Sequence, residues 1–194
     1  MVKRILVTAH TGCLGTEDNS VASFLAGVFS GADIIEVDVR FSEQGIPVLS
    51  HDPVSYGTDH SLVRLSAILK LMEHYPHIMV NLDMKEKHGL RHIGKMIDEA
   101  GVRQRVFFTG IEAEATEMVR TECPGINYLL AVQPDPLRMN EAKYLSSIVD
   151  EVKSYGAVGI NLYHRLVTTN LVCALHAANK AVVSGKYFWI NFGR

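Results

Sequence analysis

The chain has little cysteine, no long apolar run and no large excess of charge, and each of these absences argues against a class of protein. Its 194 residues include three cysteines, Cys13, Cys123 and Cys173, which lie far apart and lack the spacing of a metal site. We therefore expect reduced thiols in a cytoplasmic protein. No stretch of about 18 apolar residues occurs, so no membrane span is predicted. The apolar run at the start is too short for a secretory signal.

The charge pattern gives no indication of nucleic-acid binding. The chain has 19 lysines and arginines and 21 aspartates and glutamates, for a formal net charge of −2. The sequence contains no stripe of basic residues. With 47% hydrophobic residues and no low-complexity segment or linker, the composition is that of one globular domain over residues 1–194. Nothing in the sequence indicates an oligomeric state.

Strand-like runs alternate with amphipathic helical patterns along the whole chain. The predicted strands cover residues 5–9, 34–39, 47–50, 78–84, 105–109, 127–132, 157–162 and 181–183. Eight such units predict a small (β/α)₈ TIM barrel, near the lower size limit of roughly 200 residues. No Gly-x-Gly-x-x-Gly opens the first helix, which argues against a dinucleotide fold. Either the last strand is improvised from residues 181–191 or the barrel closes imperfectly.

Polar residues recur at the predicted strand ends. Glu36 and Asp38 lie on one face of the second strand, ~6.6 Å apart at the backbone, which suits two ligands of one divalent cation. Asp83 lies on the fourth strand and His51 follows the third. Since the active site of a β/α barrel is built at the carboxyl ends of its strands, these side chains are predicted to share one mouth. His10, after the first strand, would be a second imidazole for general acid–base chemistry.

Each of these features also has a structural interpretation. Glu36 and Asp38 would serve equally as interior barrel residues paired with Arg40 or Lys85. The His51-Asp52 pair before a proline is compatible with a turn. The residues 17–20, Glu-Asp-Asn-Ser, have the composition of a helix N-cap.

In its first half the sequence resembles the glycerophosphodiester phosphodiesterase family, within the phosphatidylinositol-phospholipase-C-like phosphodiesterase barrels. The family's Ala-His-Arg-Gly corresponds to residues 9–12, Ala-His-Thr-Gly, and its Pro-Glu-Asn-Thr to residues 17–20. Glu-x-Asp-Val is matched in full at residues 36–39. Asp-Gly-x-Pro-Val-x-x-His-Asp is matched at residues 44–52 with Gln for the first Asp, and Asn-x-Glu-x-Lys at residues 81–85 with Asp for Glu. The second half agrees only in outline.

The resemblance implies metal-dependent hydrolysis of glycerophosphodiesters, which are small-molecule substrates, to glycerol 3-phosphate and an alcohol. By position, His10 and His51 would be the acid–base pair. Mg²⁺ or Ca²⁺ would be bound by Glu36, Asp38 and Asp83. The remaining matched positions would contact the substrate or its phosphate: Lys85, Thr11, Asn19 and Trp189. The last of these lies in Trp-Ile-Asn, which corresponds to the family's Trp-Thr-Val-Asn.

The departures from the family pattern define the alternatives. Thr11 replaces an arginine that would hold phosphate with two hydrogen bonds. Only 31 residues separate His51 from Asp83, which leaves no room for the family's usual insertion. The alternatives are a phospholipase-D-toxin-like barrel that forms a cyclic phosphate, and a degenerate, non-catalytic barrel that binds a phosphorylated polyol. Soluble diesters are expected rather than intact lipids, because no amphipathic membrane-binding face is evident.

Overall fold

The structure is a computed structural model, which describes residues 6–55, 61–184 and the backbone of the strand at 187–189. The described strands are β1 Thr8–Ala9, β2 Ile34–Phe41, β3 Pro47–Leu49, β4 Met79–Met84, β5 Val106–Ile111, β6 Asn127–Ala131, β7 Gly159–Leu162, β8 Ala181–Ser184 and β9 Tyr187–Trp189. The described α-helices are α1 Val21–Phe29, α2 Leu65–Leu71, α3 Leu90–Glu99, α4 Thr116–Glu122, α5 Ala142–Ser154 and α6 Thr169–Ala177.

Seven of these strands form a parallel sheet in the order β1-β2-β4-β5-β6-β7-β8. The sheet curls into a half-barrel covered by helices, so the predicted TIM-barrel class is confirmed, although the barrel is not closed. Over the described residues, β1 pairs only with β2, while β9 pairs antiparallel with β8. The irregular last strand expected from the sequence is therefore present as β9. The predicted strand start at residue 5 and the segment from residue 190 lie outside the described residues.

One strand differs from the sequence-based prediction. Residues 47–50 were expected to form the third parallel strand, and this is wrong: β3 runs antiparallel to β2, with Val39 opposite Leu49 and Phe41 opposite Pro47. Only residues 42–46 connect the two strands, with Gly45 at φ 75°. A parallel crossover requires a dozen or more residues, so this connection permits only a hairpin.

Helix α1 begins at the predicted N-cap and packs against the sheet, although Phe29 at its end is exposed. At α1 the Ser20 hydroxyl accepts a hydrogen bond from the Ser23 N–H at 3.0 Å, so the predicted N-cap is confirmed. Gly27 brings α1 very close to the sheet. A Cβ at this position would lie 2.5 Å from the Ile35 side chain and 2.8 Å from that of Ala9. The helix that follows β1 is thereby fixed against the strands that carry the candidate site.

The alternation along β2 divides the core into two parts. Ile35, Val37 and Val39 belong to the large apolar cluster between sheet and helices. Ile34 lies in a smaller cluster inside the curled sheet, with Phe107 among its neighbours. The Ile34–Glu36–Asp38 face therefore lines the interior of the half-barrel, as the period of two predicts. Across the described part of the chain, no helix has the length and apolarity needed to cross a membrane.

Candidate active site

Three carboxylates converge at the carboxyl ends of β2 and β4. The two strands pair in parallel with Asp38 opposite Asp83 and Glu36 opposite Asn81, so the acidic side chains of both strands come to the same level. One oxygen of each of Glu36, Asp38 and Asp83 lies within 4.8 Å of the others. Glu36 and Asp38 are buried, whereas Asp83 is partly exposed. The convergence expected from the sequence is thus present.

Lys85 lies against two of the carboxylates. Its Nζ is 2.9 Å from Asp38 Oδ1 and 2.5 Å from Asp83 Oδ2. Burial lowers the pKa of Lys85, but the hydrogen bonds with Asp83 and Asp38 outweigh burial and leave the pKa raised above its ordinary value. The lysine is therefore charged at neutral pH and stabilises these two aspartates. This is the ion pairing that the structural interpretation of the sequence expected for Asp38.

Two residues of the loop after β1, Thr11 and Asn19, form hydrogen bonds with Glu36 and Asp38. The Thr11 N–H donates to Glu36 Oε2 at 3.1 Å, and the Asn19 side chain bonds both the carboxylate and the backbone N–H of Asp38, at 2.8 and 2.9 Å. The Thr11 hydroxyl accepts the Asn19 backbone N–H. Both residues are buried. These contacts position the acidic residues on the floor of the site.

His10 is held next to Glu36 with a defined orientation. Its Nδ1 lies 2.9 Å from the Thr11 carbonyl oxygen, and its Nε2 lies 3.6 Å from Glu36 Oε2. A carbonyl accepts only, so Nδ1 carries the proton and Nε2 is the nitrogen free to exchange one. The side chain is half-exposed at the mouth. Its geometry suits a general acid or base.

The pKa of Glu36 is shifted by its burial and by the charges around it. Burial raises the pKa of Glu36 and the nearby Asp38 charge raises it further, while His10 and the Thr11 N–H lower it; the resulting pKa is about 7. A divalent cation would offset this cost, because Lys85 contacts Asp38 and Asp83, and among the described residues no lysine or arginine pairs with Glu36. The separation of up to 4.8 Å between their oxygens is within about twice a Ca²⁺–oxygen distance. Carboxylate oxygens are also the donors that Mg²⁺ and Ca²⁺ prefer, so the residues present suit a divalent cation of this class.

His51 reaches the level of the site by a different route from the one predicted. It does not follow a parallel strand; instead β3 returns alongside β2, and the Ser50 N–H donates to the Asp38 carbonyl oxygen at 3.2 Å. The His51 carbonyl accepts from Arg40 Nε at 2.9 Å. The imidazole is 69% exposed, with Nδ1 2.9 Å from Asp52 Oδ1. Thus Nε2 is again the free nitrogen, on a side chain that points to solvent.

Two supporting contacts were not predicted from the sequence. Thr109 on β5 lies opposite Asp83, and its hydroxyl is 2.9 Å from Asp83 Oδ1 and 3.0 Å from Asn81 Oδ1. A Cβ at the next residue, Gly110, would lie 2.7 Å from the Met84 carbonyl oxygen and 2.9 Å from Asp83 Oδ1. The sequence signal was a Thr-Gly pair at the end of an apolar strand, which indicates a polar contact and a close backbone approach.

Two further residues, Thr11 and Trp189, were predicted to contact the substrate. Thr11, expected at the phosphate, has its hydroxyl and N–H engaged with Asn19 and Glu36. Trp189 belongs to β9 and pairs with Val182, but its side chain lies outside the described part of the structure. Hydrogen bonds and ion pairs connect seven of the predicted site residues into one network: His10, Thr11, Asn19, Glu36, Asp38, Asp83 and Lys85. Among the described residues, the His51 side chain contacts Asp52 and is not part of this network.

Comparison with known proteins supports the resemblance found in the sequence. The sequence model of the glycerophosphoryl diester phosphodiesterase family matches residues 8–70. That range contains His10, Glu36, Asp38 and His51, whereas Asp83 lies beyond it. A search among curated protein sequences gave no match.

Solved structures match the fold over almost the whole chain. A putative glycerophosphodiester phosphodiesterase from Galdieria sulphuraria aligns with a TM-score of 0.76 at 18% identity, covering 93% of this chain and 84% of that one. A glycerophosphodiester phosphodiesterase from Agrobacterium tumefaciens aligns with a TM-score of 0.73 at 16% identity, over 92% and 86%. An Oleispira antarctica phosphodiesterase in complex with the product sn-glycerol-3-phosphate aligns with a TM-score of 0.70 at 18% identity, over 96% and 85%. At these identities the comparison shows a common fold.

Proposed function

We propose that this chain, which combines the N-terminal motifs of the glycerophosphodiester phosphodiesterase family with the fold of such enzymes, hydrolyses glycerophosphodiesters to glycerol 3-phosphate and an alcohol. The observation that carries the proposal is the convergence of Glu36, Asp38 and Asp83 within 4.8 Å, at the mouth of the half-barrel, in contact with Lys85 and His10. Carboxylates, a lysine and an imidazole are the groups that phosphodiester cleavage requires.

The three carboxylates would hold one divalent cation, Mg²⁺ or Ca²⁺. When bound, the cation supplies positive charge to the phosphate oxygens, where negative charge develops during the reaction. Lys85 would bind another phosphate oxygen from the side of β4, since its ammonium is partly exposed. Thr11, Asn19 and Trp189 complete the proposed substrate site. The first two act through the loop that positions Glu36 and Asp38.

The two histidines would divide the proton transfers. Each has its Nδ1 bonded to an oxygen, the Thr11 carbonyl for His10 and the Asp52 carboxylate for His51, so in each imidazole Nε2 would be the nitrogen that exchanges a proton with the substrate. One imidazole takes the proton of the attacking water, and the other gives a proton to the oxygen of the leaving alcohol. Half-exposed and exposed side chains are free to approach a substrate bound at the mouth.

The setting of the reaction follows from the same features. We propose a cytoplasmic protein acting on soluble diesters, with products that enter glycerol and lipid metabolism. Its three cysteines are free, which agrees with a reducing compartment. The Oleispira antarctica phosphodiesterase binds its product sn-glycerol-3-phosphate, and the same compound is the product we propose for this chain.

The test is the release of glycerol 3-phosphate from glycerophosphocholine. Purified protein is assayed with Mg²⁺, Ca²⁺ or EDTA, together with the variants His10→Ala and His51→Ala. His77→Ala serves as the matched control, because His77 is an exposed histidine in the turn before β4. We expect turnover that EDTA abolishes and that either active-site variant lowers by about 10²–10⁴-fold.

The products separate this proposal from its alternatives. A cyclic phosphate in place of glycerol 3-phosphate would indicate attack by a substrate hydroxyl, as in phospholipase-D-like toxins. Binding of glycerol 3-phosphate without turnover of any diester would indicate a non-catalytic barrel. Either result would overturn the proposed hydrolysis.

A further inference from the structure

A groove of about 1070 Å³ opens beside the candidate active site, over the next strands of the sheet. It is formed by the segments that follow β5, β6 and β7, including Glu112, residues 131–136 and Tyr163. These are carboxyl ends of parallel strands, as at the acidic cluster, so the groove and the cluster share one mouth. From β4 to β6 is two strand spacings, roughly 10 Å. One of the two alcohol parts of a diester whose phosphate lies at Lys85 would therefore extend toward the groove.

The charge of the groove is negative. Its only charged lining residues are Glu112 and Asp135, and no lysine or arginine lines it within the described part of the chain. Lys87 Nζ lies 3.0 Å from Glu112 Oε2 and partly offsets that carboxylate. Over the described residues, no ion pair engages Asp135. An anionic alcohol is disfavoured here, and a cationic one is attracted.

The loop after β6 fixes the Asp135 carboxylate in place. The Asp135 backbone N–H donates to the Tyr144 hydroxyl at 2.8 Å, and Oδ1 of Asp135 accepts the Leu137 N–H at 2.9 Å. Pro134 and Pro136 flank the residue and restrict the backbone. The negative charge is thus held at the wall of the groove by contacts that need no bound ligand.

An aromatic ring, that of Tyr163, also lines the groove. Tyr163 is 57% exposed, and its ring packs against His164 with centroids 4.4 Å apart. A groove lined by an exposed aromatic ring and by carboxylates offers the two groups that bind ammonium ions, through cation–π attraction and charge. Apolar walls from Val132, Leu162 and Leu166 suit the methyl or methylene groups around such a nitrogen.

We infer that this groove receives the alcohol part of the substrate and selects an alcohol that carries an ammonium group. The inference rests on the proposed diester hydrolysis and adds to it the class of alcohol released. In this inference Asp135 and Tyr163 recognise the alcohol, and neither residue belongs to the proposed phosphate or metal site.

The experiment compares two substrates that differ in the charge of the alcohol. The kcat/KM of glycerophosphocholine is divided by that of glycerophosphoglycerol, whose alcohol is neutral, in the wild type and in Asp135→Asn, Tyr163→Leu and the double variant. Asparagine keeps the oxygen that accepts the Leu137 N–H, so the loop conformation is retained. Glu151→Gln, an exposed carboxylate on α5, is the control for lost negative charge.

We expect the wild type to favour glycerophosphocholine roughly tenfold, which corresponds to about 1.4 kcal/mol. The ratio should fall toward one in the double variant and stay at the wild-type value in Glu151→Gln. A wild-type ratio near one, or a ratio that the double variant leaves unchanged, would overturn the inference and leave the proposed hydrolysis standing.

A binding measurement separates the two proposals. Choline chloride alone is titrated into the protein and followed by NMR chemical shifts, with no substrate turnover involved. If neither diester is hydrolysed, the proposed function fails. The choline titration then decides whether the groove binds an ammonium group. Chemical-shift changes that occur in the wild type and are lost in the double variant support such a site. The absence of a saturable shift change in the wild type overturns it.

Discussion

The Asn19 side chain holds Asp38 by two hydrogen bonds at once, donating from Nδ2 to Asp38 Oδ2 at 2.8 Å and accepting the Asp38 N–H on Oδ1 at 2.9 Å. Carboxylate and backbone are thereby fixed relative to each other, on a strand whose register with β4 sets the distance to Asp83. Asn19 has φ 55°, a left-handed conformation that asparagine and glycine tolerate well. The amide is therefore suited to orienting a metal ligand.

We predict that Asn19→Gly weakens the binding of Mg²⁺ and Ca²⁺ by about 10–100-fold, the usual cost of losing a group that orients a ligand. Glycine accepts the left-handed backbone, so the change tests the amide itself. Calorimetric titration of the metal-free protein gives the affinity. Asn179→Gly is the matched control, because Asn179 also has φ 55° but lies exposed after α6. Equal affinities in the two variants would exclude the orienting role.

Sequence periodicity was sufficient to place most of the acidic cluster. The alternation on β2 put Glu36 and Asp38 on one face, and the Asn-Leu-Asp-Met-Lys run put Asp83 and Lys85 on the fourth predicted strand, which the structure shows to be the neighbour of β2. In the structure the side chains of β2 alternate in the same way: Ile34 lies inside the half-barrel, and Val37 lies in the core between sheet and helices. These features depend only on the period of a strand and on parallel neighbours meeting at one edge.

Features that depend on strand direction and closure were harder to predict. A three-residue strand carries no directional signal in its own sequence, so β3 was assigned to the parallel barrel. The five-residue connection with Gly45 held the information that β2 and β3 form a hairpin. His51 still reaches the level of Asp38, because the hairpin returns along β2. Closure of the barrel depends on pairing between the first and last strands, which are far apart in the chain, and local patterns carry no information about it.

Thr11 connects the candidate site to the stability of the loop after β1. Its buried hydroxyl accepts the Asn19 backbone N–H, and valine, of similar shape, offers no acceptor. We predict that Thr11→Val lowers the free energy of unfolding by about 1–3 kcal/mol, the cost of leaving a buried N–H without a partner. Urea unfolding followed by circular dichroism measures the change. Thr11→Ser retains the hydroxyl and should remain within about 1 kcal/mol of the wild type; an equal loss in both variants would point to packing instead.

His51 and its neighbour Asp52 should differ widely in their effect on turnover. The His51 side chain is 69% exposed and that of Asp52 is 88% exposed, so water screens the contact between them. Exposed pairs of this kind are worth at most about 1 kcal/mol. We predict that Asp52→Asn lowers kcat at most about fivefold, whereas His51→Ala lowers it by about 10²-fold or more. Steady-state release of glycerol 3-phosphate provides the comparison, and similar losses in both variants would show that the two residues act as a unit.

Lys85 should affect metal binding and turnover in opposite directions. Its ammonium lies 2.9 Å from Asp38 and 2.5 Å from Asp83, where it competes with a cation for the same two carboxylates. Methionine keeps much of the side-chain volume and removes the charge. We therefore predict that Lys85→Met tightens the binding of Mg²⁺ by roughly tenfold, about 1.4 kcal/mol. The same variant should lose most of its kcat/KM, because the phosphate loses a cationic partner.

Calorimetry and the diester assay are run on the same preparation. Lys95→Met serves as control, since Lys95 is an exposed lysine on α3 that pairs with Glu99. Weaker metal binding in Lys85→Met would show that the lysine organises the carboxylates more than it repels the cation.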